Sequence, residues 1–297
     1  MNGEPFDWLF FTEISLAGLG SGGLLALTGL AFVIVYKATR VVNLAIGEML
    51  MISAYVFFAL AAGFSLPIWA AILGTVLVSG LLGALIERTM IRPMLGESQI
   101  STFMVTVGLA SILVGFVELV WTASPQRLPE FMPQDMVMLG EAFVAPKVFY
   151  GFLVTALLIA AVLLVFRFWR GGVALRATAS DQAAAYSMGI NVPRVFSLAW
   201  TVAAMIAAVA GIVVGAIGGI SSTMGVFGLS VLVVVIVGGL DSVVGALVGG
   251  LMVGLVEAWA GAYLGGEFKM IATFSLLVAV LVLRPYGLFG TREIERL

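Results

Sequence analysis

Four acidic residues lie in or beside apolar stretches of this sequence, and they are its clearest candidates for chemistry: Glu48, Glu118, Asp241 and Glu257. A charge within a lipid-embedded helix costs about 2.5–3.5 kcal/mol on insertion scales, so each such residue needs a partner, a wet cavity or a function. We interpret Glu118 as interfacial and Asp241 as a cap for the helix that follows it. Glu257 is either hydrogen-bonded to a neighbouring helix or functional.

Glu48 differs because it belongs to the polar cluster Asn43-Leu44-Ala45-Ile46-Gly47-Glu48. Polar groups beside a glycine often mark a bent or unwound segment that lines a pathway, where a cavity or neighbouring protein satisfies the exposed backbone. A helix capped by Asn43, with one buried and hydrogen-bonded acid, explains the same residues equally well. Both interpretations stay open, and the candidate pathway residues are Asn43, Gly47 and Glu48.

The residue types that are absent exclude most catalytic chemistry. The sequence contains neither histidine nor cysteine, so it offers no thiolate or imidazole metal site and no Ser-His-Asp relay. Its lysines are Lys37, Lys147 and Lys269, and none lies in a GxxxxGK[ST] phosphate-binding loop. We therefore expect a protein that is not an enzyme and has no metal or cofactor; any ATP must be hydrolysed by a partner chain.

The composition requires that these residues be positioned by membrane helices. Hydrophobic residues make up 62% of the 297 residues and charged residues 10%, whereas a soluble domain has about 25% charged residues. The net charge of −2, with no long basic run, argues against nucleic-acid binding. The sequence therefore predicts an all-α, polytopic transmembrane helix bundle that forms one domain over residues 1–297.

The predicted spans follow from the length of helix, about 20 apolar residues, that crosses a bilayer. Six segments meet this length, at residues 16–36, 41–60, 66–86, 101–121, 148–168 and 195–217. The last third of the chain contains three more apolar stretches, at 227–240, 243–263 and 270–283, and the first of them is short for a crossing. We therefore expect eight or nine spans.

The basic residues predict the orientation, because Lys and Arg are retained in cytoplasmic loops. With the N-terminus outside and the C-terminus inside, only Arg127, Lys147 and Lys269 face outward. The eleven inward basic residues are then Lys37, Arg40, Arg88, Arg92, Arg167, Arg170, Arg176, Arg194, Arg284, Arg292 and Arg296. Residues 1–13 contain no Lys or Arg, so we expect the first apolar segment to be retained rather than cleaved as a signal peptide.

The longest predicted cytoplasmic loop, about residues 169–194, has helix signals of its own. Ser180 or Asp181 can cap a short helix through an alanine run, Gly189 can stop it, and Pro193 prevents its continuation. These signals predict a short amphipathic helix parallel to the membrane. An ordinary basic loop is the alternative, but the start and stop signals favour a docking element for a cytoplasmic partner.

Two other features allow more than one interpretation. Glycines with GxxxG spacing crowd the last third, and this spacing lets helices approach closely either within one chain or against a second membrane subunit. They are the pairs 245/249, 250/254 and 261/265. The outward loop 122–147 contains several prolines and acids, and it is either a spacer or a surface for an extracytoplasmic partner.

Taken together, several motifs resemble one family, the permease subunits of branched-chain amino-acid ABC importers of the LivH type. The resemblance covers most of the chain, and its specificity comes from the order and spacing of the motifs. The motifs are Gly20-Ser21-Gly22-Gly23 with Ala26-Leu27, the 43–48 cluster, Arg176-Ala177 with Asp181 and Gly189-Ile190-Asn191, Gly238-Gly239 with Gly245-Ala246 and Gly249-Gly250, and Arg284-Pro285-Tyr286-Gly287-Leu288-Phe289-Gly290.

This resemblance implies a type II-like importer permease in a bacterial cytoplasmic membrane. Its implied partners are a second homologous permease, two cytoplasmic ATP-binding subunits and an extracytoplasmic substrate-binding protein. The residues implied to couple it to the ATPases are Arg176, Asp181, Ala184, Gly189 and Ile190. Nucleotide-driven movement of this loop would switch the pathway between its two openings.

The sequence departs from the family pattern at Ile46, where many relatives carry histidine, and at Leu44, where they carry phenylalanine. Similar permeases are associated with urea, short amides or aromatic acids, although a branched-chain or hydrophobic amino acid is the leading expectation. An ion-coupled secondary transporter or channel is the main rival from another class, with Glu48, Asp241 or Glu257 as the carrier of protons or cations.

Overall fold

A computed structural model of the chain describes residues 7–291, and within that part the chain is mostly helical. The long helices are separated by short turns and by one small β-hairpin. The helices are α1 Trp8–Thr39, α2 Ile46–Phe58, α3 Ile68–Ile86, α4 Gln99–Trp121, α5 Pro146–Phe168, α6 Arg170–Ser180, α7 Gln182–Ser187, α8 Val192–Gly218, α9 Phe227–Gly238, α10 Val243–Tyr263 and α11 Phe268–Leu283, with strands β1 Val137–Leu139 and β2 Ala142–Val144. Arg292 and Arg296, both predicted to be cytoplasmic, lie outside the described residues.

The predicted all-α polytopic bundle is confirmed. Within residues 7–291, seven helical segments are long and apolar enough to cross a membrane. Two more apolar helices are shorter, Ser222–Gly238 and Phe268–Leu283. The number of crossings, predicted as eight or nine, depends on these two shorter helices.

Two helices begin five or more residues away from the start of the predicted span, whereas the others begin within three residues of it. Helix α1 begins at Trp8 rather than residue 16, because the Asp7 side chain accepts a hydrogen bond from the Phe10 N–H at 3.0 Å and caps the first turn. Helix α2 begins at Ile46 rather than residue 41. Arg40, with a left-handed φ of 57°, ends α1, and residues 41–45 are not helical.

Helix α1 is the centre of the bundle and packs most extensively against α10. The contact depends on glycine: a Cβ at Gly254 would lie 2.3 Å from the Cα of Gly22, and one at Gly250 would lie 2.5 Å from the Cα of Ala26. Backbones can come this close only where side chains are absent. The pair 250/254 therefore serves packing within the chain, as one of the two interpretations predicted.

The outer layer consists of α3, α4, α5 and α11, which expose large apolar side chains. Leu119 is 84% exposed, Leu157 is 74% exposed and Val282 is 77% exposed. Such a surface is unsuited to water and is what a bilayer requires. The core, by contrast, is formed by α1, α2, α8 and α9, in which most apolar side chains are fully buried.

The loop 122–147 is attached to the ends of the helices near it. The Phe143 N–H of the hairpin donates to the Glu13 carboxylate at 2.8 Å, and Gln126 forms a two-way backbone bridge with Ile220 beyond the end of α8. The loop is therefore fixed to both α1 and the α8–α9 connection. Whether it is a spacer or a partner surface stays a prediction.

Candidate functional site

The segment between α1 and α2 is held by side chains rather than by helical hydrogen bonds. The Asn43 Oδ1 accepts from the Ala45 N–H at 3.1 Å, which closes a turn just before α2. On its other side, the Thr106 hydroxyl of α4 lies 3.2 Å from the Val42 carbonyl and 3.4 Å from the Leu44 N–H. Asn43 thus fixes the turn and is not the N-cap of α2, which is Ala45. The unwound segment that was one of the two interpretations is present.

Gly47 is the closest contact between this segment and the last third of the chain. A 3-10 turn, Ser222–Val226, precedes α9, and a Cβ at Gly47 would lie 2.3 Å from the Gly225 carbonyl oxygen and 2.7 Å from the Gly228 nitrogen. No residue with a side chain fits this gap without moving one of the two backbones. The start of α2 and the start of α9 are therefore in direct backbone contact at Gly47.

Glu48, one residue further, places its carboxylate against the same turn. A Cβ at Gly225 would lie 2.8 Å from the Glu48 Oε1. The Glu48 Oε2 is buried and has no hydrogen-bond partner among the described residues. A carboxylate in that position is costly unless something absent from the chain itself, such as water, a proton or a substrate, satisfies it. Both interpretations of Glu48, as a pathway residue and as a buried structural acid, therefore stay predictions.

The 169–194 loop contains two helices, α6 and α7, where the sequence predicted one. The prediction of α7 itself is confirmed: the Asp181 side chain accepts from the Ala184 N–H at 2.9 Å and is its N-cap. At its other end Gly189 has a φ of +83°. The Gly189 and Ile190 N–H groups bond back to Tyr186 and Ala185 at 3.0 Å, which is the Schellman pattern of a deliberate helix end.

Arg176 and Gln182 attach this pair of helices to the transmembrane bundle. The Arg176 guanidinium donates to the Phe166 carbonyl and, at 3.3 Å, to the Arg167 carbonyl, so it caps the last turn of α5. The Gln182 amide lies 3.4 Å from the Ala38 carbonyl in the last turn of α1. Movement of α7 would therefore bear directly on the end of α1, five residues before Asn43.

The outer face of α7 is apolar and unusually accessible. Tyr186 is 71% exposed and Met188 is 84% exposed, while Ala185 packs inward. Ala184 is exposed and Ile190 is half-buried. Five residues were predicted to couple the chain to the ATPases. Four of them, Asp181, Ala184, Gly189 and Ile190, lie together at α7 in a small projection that we call the knob, and Arg176 holds its base against α5.

Sequence reasoning missed a buried charge cluster beside this loop. After α3 the chain forms a π-helical turn, Glu87–Ile91. Glu87 is fully buried and pairs in a bidentate manner with Arg92, at 3.0 and 2.8 Å. Arg92 also donates to the Pro193 carbonyl at 3.2 Å, and Ser197 of α8 donates to Glu87 at 2.6 Å.

This cluster joins the end of α3 to the end of the 169–194 loop. A spacing of five residues does not bring two side chains together in a regular α-helix, whose neighbours are three or four apart. The wider π turn aligns Glu87 with Arg92, and such turns are frequent at functional sites. The sequence showed only a loop with charges after the third span, so the pairing was not predictable.

The other three acids, Asp241, Glu257 and Glu118, lie away from the Gly47 contact. The prediction that Asp241 caps α10 is wrong: Ser242 caps it, accepting from the Gly245 N–H at 2.9 Å, because its hydroxyl is one residue closer to the helix. The Asp241 carboxylate instead accepts from the Thr291 side chain and backbone. Glu257 accepts hydrogen bonds from Ser230 and Thr273, at 2.8 and 3.1 Å, and so joins α9, α10 and α11. Glu118 is exposed near the end of α4.

Comparison with known proteins gives consistent results over almost the whole chain. The family model described as "Branched-chain amino acid transport system / permease component" matches residues 14–283. The permease protein LivH of the high-affinity branched-chain amino acid transport system is 31% identical over 304 residues, in both Salmonella typhimurium and Escherichia coli K12, covering 98% of this chain and 99% of the relative. BraD of Pseudomonas aeruginosa is 29% identical over 293 residues, covering 94% of this chain and 95% of its own.

A solved structure supports the fold. A chain of PsaBC from Streptococcus pneumoniae in complex with Fab superposes with a TM-score of 0.50 at 14% sequence identity, covering 93% of this chain and 92% of that one. At this identity the likeness concerns the arrangement of helices alone. The family match and the relatives, which extend from α1 to α11, decide the assignment. This multi-pass membrane protein belongs to the family of permease components of branched-chain amino acid transport systems.

Proposed function

We propose that the chain is the membrane subunit of an ATP-driven importer in a bacterial cytoplasmic membrane. ATP is hydrolysed by two separate subunits that dock on the α6–α7 knob, a second permease completes the pathway, and a soluble binding protein delivers the substrate outside. The N-terminus lies outside and the C-terminus in the cytoplasm. The observation that carries this proposal is the docking knob, a helix with its own cap, its own stop and an exposed apolar tip.

The proposed substrate is a branched-chain or other hydrophobic amino acid, because the relatives are named for branched-chain amino acid transport. The two departures from the family motif, Leu44 and Ile46, concern the segment next to Glu48. Ile46 is 1% exposed and packs in the apolar core, so the departure at this position changes core packing rather than a polar contact. This leaves Glu48 as the polar group available to a substrate or its hydration shell.

The contacts suggest how the docking knob reaches the pathway. A displacement of α7 acts on the Ala38 carbonyl through Gln182, and hence on the unwound segment that holds Glu48. At the other end of the knob, Pro193 is tied to α3 through Arg92 and Glu87. The knob is therefore connected to the end of α1 and to the end of α3, the helices that precede and follow α2 in the chain. A two-state movement of these elements is the proposed switch between inward and outward openings.

Substitution of Gly189 by leucine tests the coupling. The φ of +83° at Gly189 costs a residue with a side chain on the order of 1–2 kcal/mol, and no atom lies within 4 Å of its position, so the effect is confined to the stop of α7. We expect ATP hydrolysis in proteoliposomes to continue while uptake of labelled leucine falls. Gly96→Leu is the matched control, since Gly96 also has a positive φ in open space but lies between α3 and α4.

The energy source separates this proposal from an ion-coupled transporter. Uptake that stops on ATP depletion and survives an uncoupler supports the importer, as does copurification of ATP-binding subunits. Uptake that survives ATP depletion and stops with an uncoupler would refute it. A panel of leucine, urea, acetamide and benzoate then identifies the substrate class, and transport of urea or benzoate in place of leucine would correct the amino-acid proposal alone.

Replacement of Glu48 by glutamine tests the pathway. The change keeps the shape of the side chain and removes the charge beside Gly225. We expect the uptake rate or the order of preferred substrates to change, with ATP hydrolysis still responding to the binding protein. Glu118→Gln, an exposed acid near the end of α4, is the control. An unchanged rate and profile in the Glu48 variant would assign this residue a purely structural role.

A further inference from the structure

A cavity lies apart from the pathway segment, at the end of the bundle where α6 and α7 are attached. It has a volume of about 450 Å³ and lies between α1, α5, α6 and the start of α10. Its walls are apolar: Leu30 and Ile34 come from one face of α1, and Val162 and Phe166 come from one face of α5. The size is within the usual range for small-molecule sites.

Three cations converge on this cavity, one each from α1, α5 and α6. They are Lys37, Arg167 and Arg176, and the lining contains no Asp or Glu. Within residues 7–291 no carboxylate pairs with Lys37 or Arg167. Arg176 uses two of its N–H groups on the carbonyls at the end of α5 and retains the others. The lining of the cavity therefore carries three cationic side chains and no carboxylate.

The start of α10 adds to this field. Val243, the first residue of that helix, also lines the cavity, so the positive end of the α10 dipole lies at its wall. The position of the cavity in the bundle indicates which kind of anion it binds. The cavity lies against α5, whose outer surface is among the most exposed apolar surfaces of the bundle, with Leu163 on its rim at 37% exposure.

We propose that this cavity, which we call the α1–α5 groove, binds an anionic phospholipid. The phosphate of the headgroup lies among Lys37, Arg167 and Arg176, and an acyl chain follows the apolar walls formed by α1 and α5. A free anion would have no use for those walls, and a zwitterionic lipid would leave the three cations unbalanced. The site fixes the base of α6, and hence the docking knob, to the lipid around it. This inference does not depend on which substrate is transported.

The absence of cysteine from the sequence gives a direct test. A fluorophore on Leu163→Cys reports the lipid at the groove, and one on Leu157→Cys, a 74% exposed residue further along α5, reports bulk lipid. The purified transporter, with the subunits that copurify, is reconstituted with brominated phosphatidylglycerol or brominated phosphatidylcholine as quencher. We expect the groove probe to be quenched at a lower mole fraction of the anionic lipid, and the bulk probe to show no preference.

Charge removal then assigns the preference to the groove. Lys37→Gln and Arg167→Gln should each lower the selectivity of the groove probe for the anionic lipid by about fivefold. The single variants suffice if the double variant fails to insert. Arg88→Gln, an exposed arginine at the same end of the bundle but outside the groove, is the matched control and should leave selectivity unchanged. Equal quenching by both lipids, or loss of selectivity in the control as well, would overturn the proposal. So would a groove probe that neither lipid quenches, since a protein subunit would then cover the groove.

Discussion

Removal of the Arg92 guanidinium should lower the stability of the protein far more than removal of Arg88, the other arginine in the turns that follow α3. Arg92→Ala deletes four hydrogen bonds at once, two to Glu87, one to Ser197 and one to Pro193. Among the described residues, the Glu87 carboxylate, whose side chain is 1% exposed, then keeps one donor, the Ser197 hydroxyl. Removal of one partner from a buried ion pair costs about 3–5 kcal/mol, because the other charge stays buried.

Replacing Glu87 should cost less stability than replacing Arg92, since the Arg92 side chain is 35% exposed. After Glu87→Gln, the guanidinium can turn toward water or headgroups, so we expect a smaller loss of about 1–3 kcal/mol. Thermal unfolding of the detergent-purified protein measures both variants. A loss of 3–5 kcal/mol corresponds to a fall in melting temperature on the order of 10 °C. The control is Arg88→Ala, whose exposed side chain makes no comparable contact and whose effect should stay within about 0.5 kcal/mol.

Arg92→Ala should also weaken the coupling of uptake to ATP hydrolysis, because Arg92 joins the end of the 169–194 loop to α3 through the Pro193 carbonyl. At a temperature at which Arg92→Ala remains folded, we expect uptake per ATP hydrolysed to fall. A melting temperature equal to that of Arg88→Ala would refute the reasoning about the buried charge. If Arg92→Ala shows the expected fall in melting temperature but normal uptake per ATP hydrolysed, Arg92 stabilises the fold and the reasoning about its part in coupling is refuted.

Three other substitutions test the packing of the helices. Gly47→Ala places a Cβ 2.3 Å from a carbonyl oxygen, so uptake should be lost while the exposed Gly108→Ala, with open space around it, remains active in the same transport assay. Gly254→Ala places a Cβ 2.3 Å from a backbone Cα of α1 and should lower the melting temperature by an amount that Gly108→Ala does not; equal values would show that α1 and α10 can separate freely. Glu257→Gln keeps an oxygen for the Thr273 hydroxyl, so it should change stability by less than about 1.5 kcal/mol. A complete loss of uptake in that variant, with a normal melting curve, would make Glu257 a transport residue.

The sequence was sufficient for the features that depend on local chemistry. Long apolar segments locate the membrane helices, and the Asp181 and Gly189 signals locate α7, because a helix start and a helix stop are each determined within a few residues. For the segment around Asn43 and Gly47 the sequence left two interpretations open, and the structure shows that residues 41–45 are not helical.

Features that depend on tertiary contact could not be predicted. No local signal indicates that Gly47 meets the turn before α9, about 180 residues later, or that the Glu48 Oε2 has no partner among the described residues. The Glu87 cluster was missed because a π turn changes which side chains are neighbours. Asp241 was assigned the cap because it precedes the helix, but the cap position belongs to Ser242, one residue later.

The burial of α1 has a consequence for how the protein is made. Most of α1 is buried inside the bundle, and its principal neighbour, α10, is more than 200 residues further along the chain. At 5–20 residues per second, α1 waits on the order of tens of seconds for that neighbour. During this interval its glycine face is unpaired in the membrane. Nascent chains should therefore depend on an insertase or chaperone that shelters α1, and truncated chains that lack α10 should be degraded rapidly.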